Sequence, residues 1–162
     1  MAAFVNTSRM VQLGAAWTGT APGLPGTQTI SGTITSASDI SAYVMGGEFS
    51  GSAAMQDGTN FASGGYTVQY PGLKSGDDIV FEAISDYAAS LLYVIINTTL
   101  GGLGSLVYGD LKPTNSARGA TNPSTVFAAY ISKWSPYGGN VGDLAKASLT
   151  LTITGKFIDL TS

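Results

Sequence analysis

No cysteine and no histidine occur in the 162-residue sequence. The first absence removes disulfide bonds and thiolate chemistry. The second removes the commonest general base and the commonest zinc ligand. Charge is scarce as well: Asp, Glu, Lys and Arg make up 10% of the chain, against roughly 25% in an average soluble domain. The seven basic residues are scattered from Arg9 to Lys156, and the net charge is −3. A row of phosphates needs a Lys/Arg cluster to neutralise it, so no DNA-binding face is expected. The opening residues, Met1 to Arg9, have neither a basic start nor an apolar run, so no signal peptide is expected. Without one, Asn6-Thr7-Ser8 and Asn97-Thr98-Thr99 are not read as glycosylation sites. The stretch 87–109 carries no charge and is long enough to span a bilayer. Its second half, however, holds Asn97, Gly101, Gly102 and Gly104. A buried helix followed by a turn and a strand is the expected reading, not a membrane span.

In place of charge the chain has 22 glycines and abundant Ser and Thr. Such a surface suits either a Ser/Thr-covered β-domain or a subunit that other copies of itself cover. The length suits one domain with a sizeable core, and neither a fixed-period repeat nor a linker divides it.

Alternation of apolar and polar residues predicts strands. One lies within 9–17, and another over 29–35 puts Ile30 and Ile34 on one face. A segment from Asp39 to Met55 leads to Asp57-Gly58, a hairpin signal because glycine accepts positive φ. Tyr66, Val68 and Tyr70 alternate up to Pro71-Gly72, where that strand is expected to end. In 79–84, Ile79, Phe81 and Ala83 oppose Val80, Glu82 and Ile84. Ser85-Asp86 can cap a helix, and Ala88, Leu91, Leu92, Ile95 and Ile96 follow at helical spacing. Residues 106–111 suggest a short strand, and 109–125, rich in Gly, Pro and Asn, a long loop. The final pair, 126–134 and 147–154, flanks a Pro136-Tyr137-Gly138-Gly139-Asn140 turn. Many short strands separated by turn signals indicate a sandwich or barrel with one helix.

Each cluster that could carry chemistry has a plainer reading. Asp77, Asp78, Glu82 and Asp86 form the densest carboxylate group, but they read as a turn and a helix cap. Asp57, Thr59 and Asn60 offer too few oxygens for a calcium loop. Gly101-Gly102-Leu103-Gly104 follows a helix, whereas phosphate-cradling loops precede one. Lys146 and Ser148 lie two apart on one strand face, a weak hint of a serine–lysine pair. Trp134 and Tyr137 could stack on a ligand, but aromatics beside a hairpin usually pack on their own domain. No catalytic residue, metal ligand or cofactor is expected, and the chain does not read as an enzyme.

The order of segments resembles the major tail tube proteins of long non-contractile-tailed (siphovirus-type) bacteriophages. The matching pieces are Asp39-Ile-Ser-Ala-Tyr-Val44, Ser63-Gly-Gly-Tyr66, Tyr70-Pro-Gly-Leu-Lys74 and Gly76-Asp-Asp-Ile-Val-Phe-Glu82. A helix follows, then Ala129-Tyr-Ile-Ser-Lys-Trp-Ser-Pro136, and finally Gly142-Asp143 through Gly155. Each piece is only a turn and a strand; the order and spacing are what is specific, from about residue 28 onward.

The resemblance implies a mainly β fold. It would be a single tail-tube-type β-sandwich or barrel domain over 1–162, with one flanking α-helix at about 86–97. A long β-hairpin at 46–65 and an extended N-terminal arm at 1–8 would complete it. The implied role is structural: six-fold rings stacked into a hollow tail tube through which viral DNA is delivered into the host cell. Implied partners are other copies of the chain, a tape measure protein in the lumen, and tail terminator and distal tail proteins at the ends. DNA would pass without specific binding, helped by an acidic lumen. The implied location is the virion, with synthesis in the host cytoplasm.

If Phe49 and Phe81 face the core, alternation turns Glu48, Ser50, Ser52 and Glu82 toward the lumen. A core of Phe49, Phe81, Leu91, Leu92, Ile95, Leu149, Leu151 and Ile153 is expected, leaving Thr150, Thr152 and Thr154 outward. Asp57, Thr59, Asn60 and Phe61 at the hairpin tip, with Phe4 and Val5 in the arm, are expected at the ring-to-ring contact. Alternatives are a virion decoration or carbohydrate-binding β-sandwich module, and a secretion-system tube protein.

Overall fold

A computed structural model describes residues 9–23, 29–48, 51–57, 59, 67, 69–76, 78–85, 92–138 and 145–161. Its centre is a seven-stranded antiparallel sheet. In chain order the strands are β1 (Met10–Gly14), β2 (Ala16–Thr18), β3 (Thr33–Thr35), β4 (Ser38–Asp39), β5 (Val44–Glu48), β6 (Gly51–Asp57), β7 (Gln69–Gly76), β8 (Ile79–Ile84), β9 (Leu106–Lys112), β10 (Ser124–Gly138) and β11 (Lys146–Leu160). The large sheet has the order β4-β1-β9-β10-β11-β8-β5.

Its two edge strands, β4 and β5, are consecutive in sequence. The turn between them is closed by Tyr43 N–H and Val44 N–H donating to Ile40 O at 3.0 and 3.3 Å. A sheet whose edges are joined by so short a turn must curl on itself, and it forms an incomplete barrel. The curl leaves fewer free edges open to unwanted pairing.

One face of the curl holds the core. On β8, Ile79, Phe81 and Ala83 are buried while Val80 and Glu82 are exposed. Across the ladder, Leu151, Leu149 and Ala147 pair with those three positions and are buried too. Leu13, Val107, Phe127, Ala129 and Ile131 extend the cluster over β1, β9 and β10. A helical segment covers it, with α1 (Leu92–Val94) running into a π-helical turn, Ile95–Thr99. Leu92, Ile95, Ile96 and Leu100 are buried in the same core. Ile153 is half-buried against it. Of the other expected core residues, Phe49 and Leu91 lie outside the described residues.

The second face of β1 and β9 is covered by the β2–β3 ribbon. A Cβ on Gly14 would stand 2.1 Å from Ile34 Cγ2, so that glycine lets the ribbon lie flat on β1. Trp17 packs its ring 5.9 Å from that of Tyr108 and donates from Nε1 to Ser31 O at 2.9 Å. Ile30, Ile34, Val126 and Ala128 are buried in this region.

Several sequence-based expectations change. The first strand is two, broken at Ala15. The expected loop at 109–125 is shorter, because β9 continues to Lys112 and β10 begins at Ser124. The strand expected to end at Pro71-Gly72 instead runs through them to Gly76. Proline is tolerated there because β7 belongs to a two-stranded ribbon with an open edge. The helix expected at 86–97 is α-helical over Leu92–Val94 and turns π-helical over Ile95–Thr99; 86–91 lie outside the described residues.

The loop at 113–123 is held from within. Asn122, 5% exposed, accepts from Thr114 N–H at 3.0 Å and donates from Nδ2 to Thr114 O, Ser116 O and Ala117 O at 3.3, 2.8 and 3.2 Å. At its base Ser124 donates to the buried Asp110 at 2.5 Å, and Arg118 approaches the other carboxylate oxygen at 3.7 Å. Asn122→Ala orphans several of these groups at once. It is expected to destabilise the subunit by about 1–3 kcal/mol, read as a lowered urea midpoint with an unchanged slope.

Candidate assembly surfaces

Beyond the barrel the β5–β8 hairpin is prolonged as a second ribbon. Glu48 pairs with Val80, and the ladder resumes with Gly51 opposite Gly76, running to Asp57 opposite Gln69. Every described residue of β6 from Ser52 to Asp57 is exposed. A strand lying on a core would bury alternate residues; this one buries neither face. Met55 and Tyr70, at 54% and 59% exposure, are large apolar groups left in water on this β-arm. An isolated two-stranded ribbon is marginal in water; here β7 lies beside β11, while the exposed β6 gains most from contact with another surface.

At the end of the described arm Thr59 N–H donates to Asp57 Oδ1 at 2.8 Å. The Thr59 hydroxyl and N–H together hold the Asp57 carboxyl below its ordinary range. Because the shift is downward, this carboxylate stays ionised to a lower pH than a free aspartate, and the turn loses that bond as pH falls through the depressed value. Asp57 and Thr59 are both exposed. Asn60, Phe61, Phe4 and Val5, expected beside them, lie outside the described residues.

The outward face of β10, β11, β8 and β5 is the second candidate surface. Register places Lys133 opposite Thr150 and Thr150 opposite Val80, with Ser135 opposite Ser148 and Ser148 opposite Glu82. Tyr130, opposite Thr152, and Val80 are exposed at 46% and 44%. Of the expected lumen residues, Glu82 is exposed on this face and Ser52 is exposed on the β-arm. Ser50 and the Glu48 side chain lie outside the described residues. Glu82 shares a shallow depression with Lys146 and Ser148. Its charge is therefore accompanied by Lys146 and Lys133, and the described part of this face carries both signs.

Of the residues weighed for chemistry, Glu82, Lys146 and Ser148 share that depression; the other described ones do not join them. Asp78 and Glu82 are exposed, while Asp77 and Asp86 lie outside the described residues. Gly101, Gly102 and Gly104 all have positive φ, 85°, 76° and 82°, and build the turn after the π-helix. Trp134 is half-buried against the core, its Nε1 without a partner among the described residues, and Tyr137 is 73% exposed. Among the described residues no group of three or more Asp or Glu side chains could hold a metal ion. None of their helices is long and apolar enough to cross a membrane.

A curled antiparallel sheet with one flanking helical segment and a projecting β-arm defines a tail-tube-like β fold. Two solved structures share it over nearly the whole chain. One is a chain of the anti-feeding prophage (AFP) baseplate, a six-fold symmetrised cryo-electron microscopy structure. It has a TM-score of 0.59 and 12% identity, covering 99% of this chain and 97% of that one. The other is the SPP1 tail tube, a hybrid solid-state NMR and cryo-electron microscopy structure. It has a TM-score of 0.58 and 12% identity, covering 99% of this chain and 80% of that one. No protein-family model and no curated protein sequence matches the chain.

Proposed function

We propose that this chain is a non-enzymatic structural subunit of a phage tail, assembling as stacked hexameric rings into the hollow tube that delivers DNA. The β-arm carries the reading: every described residue of β6 from Ser52 to Asp57 is exposed, and the arm projects from a fold shared with the SPP1 tail tube. In this reading the arm lies against a neighbouring ring, bringing Asp57 and Thr59 to the ring-to-ring contact with Asn60, Phe61, Phe4 and Val5. The outward face of β5, β8, β11 and β10 lines the bore, with Glu82, Glu48, Ser50 and Ser52 toward the lumen. Its Ser and Thr residues and its opposed charges would offer phosphates no continuous attraction, so DNA slides. A tape measure protein would fill the bore before ejection, and terminator and distal proteins would close the ends.

A second reading follows from the AFP baseplate chain, matched over 97% of its length: a six-fold baseplate ring. In both readings copies of the chain would join into rings. Sedimentation velocity across rising concentration tests self-assembly common to both. Species at six-fold multiples of the subunit mass are expected; a single monomer boundary at every concentration would count against both.

A further inference from the structure

At one end of the barrel the turn at 101–104 holds a leucine out into water. Leu103 is 63% exposed. It is held there by a stiff turn: Gly102 N–H donates to Ile96 O at 2.9 Å, Gly104 N–H to Ile131 O at 2.8 Å, and Ser105 N–H to Gly102 O at 3.3 Å. Flanking glycines at positive φ permit a turn this tight. A single exposed leucine is ordinary; one fixed on a hydrogen-bonded projection loses little freedom when it docks.

At the other end the described residues leave the barrel open. A cleft of about 620 Å³ enters between β1 and β5, with Val11, Ile79 and Phe81 along its floor. All three are under 9% exposed, so the floor is apolar. Gly46 and Gly47 add no side chains to its β5 wall, and a Cβ on Gly46 would meet nothing within 4 Å. Met45, 47% exposed, stands at its rim. The volume lies within the range of pockets that enclose a ligand, ample for a leucine turn. The β-arm leaves the barrel from this same wall, since β6 follows directly from β5.

The two features cannot meet within one subunit. Leu103 precedes the first residue of β9, whereas Lys112, the last, lines the cleft. Seven residues of extended strand, roughly 20 Å, stand between them. A projection at one end and a socket at the other make a heterologous contact, the kind that extends along an axis without closing on a pair. We infer that the Gly102–Leu103–Gly104 turn of one copy seats in the β1–β5 cleft of the next, forming an axial contact between stacked rings. This inference rests on the proposed tube.

The absence of cysteine makes a clean test possible. In Leu103→Cys/Met45→Cys protein, mild oxidation is expected to give a ladder of disulfide-linked multimers on a non-reducing gel, since a disulfide forms only where Cβ atoms come within about 4.5 Å. Equal amounts of the two single variants should stop at dimers. Separately, Leu103→Asp is expected to raise the concentration needed for polymerisation roughly ten- to hundredfold, the range implied by one lost buried leucine per contact. Its monomer should keep the wild-type circular dichroism spectrum; if it does not, the cross-link decides. Tubes that form without a ladder would overturn this contact and leave the tube reading standing. A wild-type chain that forms no tubes would overturn both.

Discussion

Gly109→Val is expected to cost the subunit about 3 kcal/mol and to lower its melting temperature by roughly 6–12 °C. Gly109 and Phe127 are directly paired across β9 and β10. A Cβ on Gly109 would stand 2.1, 2.5 and 2.6 Å from Phe127 Cζ, Cε1 and Cε2. The ring therefore lies on bare backbone, an aromatic covering a cross-strand glycine. Phe127 is fully buried in the centre of the core and has no free direction in which to yield. The converse change, Phe127→Ala, removes the ring and leaves a cavity, with an expected loss of about 3–5 kcal/mol. Because the two residues touch, the double change Gly109→Val/Phe127→Ala should cost less than the sum of the singles, the added methyls partly filling the space the ring leaves. Thermal melts of the four proteins read this directly. A shift below about 2 °C for Gly109→Val would show that β9 and β10 are not packed in this register.

The second large effect is on assembly, with little change in the subunit. Met55→Asp/Tyr70→Asp places two carboxylates on the β-arm where neither wild-type side chain is buried. Exposed substitutions of this kind fall within about 0.5 kcal/mol of neutral, so the monomer should melt within about 2 °C of wild type. If the arm lies against a neighbouring ring, the same carboxylates would be desolvated without a partner, and polymerisation should be lost. A variant that polymerises like wild type would remove the arm from the contact. A variant whose monomer melts far lower would mean that the arm packs on its own barrel.

How much of this was legible in the sequence depends on whether a residue's reason lies beside it in the chain. The alternation in Ile79-Val80-Phe81-Glu82-Ala83 and in Leu149-Thr150-Leu151 encodes one buried face, and β8 and β11 follow it. Gly109 and Asp110 fell where the expected strand over 106–111 overlaps the expected loop over 109–125, because what holds them in β9 lies 18 and 14 residues away, in Phe127 and Ser124. Pro71 and Gly72 read as a terminator, yet Pro71 pairs with Met55 and Gly72 falls at a register shift in an open two-stranded ribbon that accepts both. The helical periodicity around Leu92 and Ile95 marked the residues that enter the core. It did not foretell the π-turn, where Leu100 N–H donates to Ile95 O. Leu13, Ile40 and Val107, among the most buried residues, sit on short strands and in a turn where too few residues surround them to set a period.

For the candidate surfaces, the sequence marked the hairpin signal at Asp57 and the outward place of Glu82. It did not show Lys133 and Lys146 on the same face as Glu82, because that juxtaposition is made by the ladders joining β8, β11 and β10. The Leu103 turn was visible only as a glycine-rich stretch, and the cleft opposite it only becomes apparent once β1 and β5 stand on either side of it.

The most direct test of the tube is electron microscopy of the purified chain, negatively stained at high concentration. Hollow tubes, or rings of six subunits around an open bore, are the expected result. Uniform small particles with no lumen, unchanged by concentration, would contradict it.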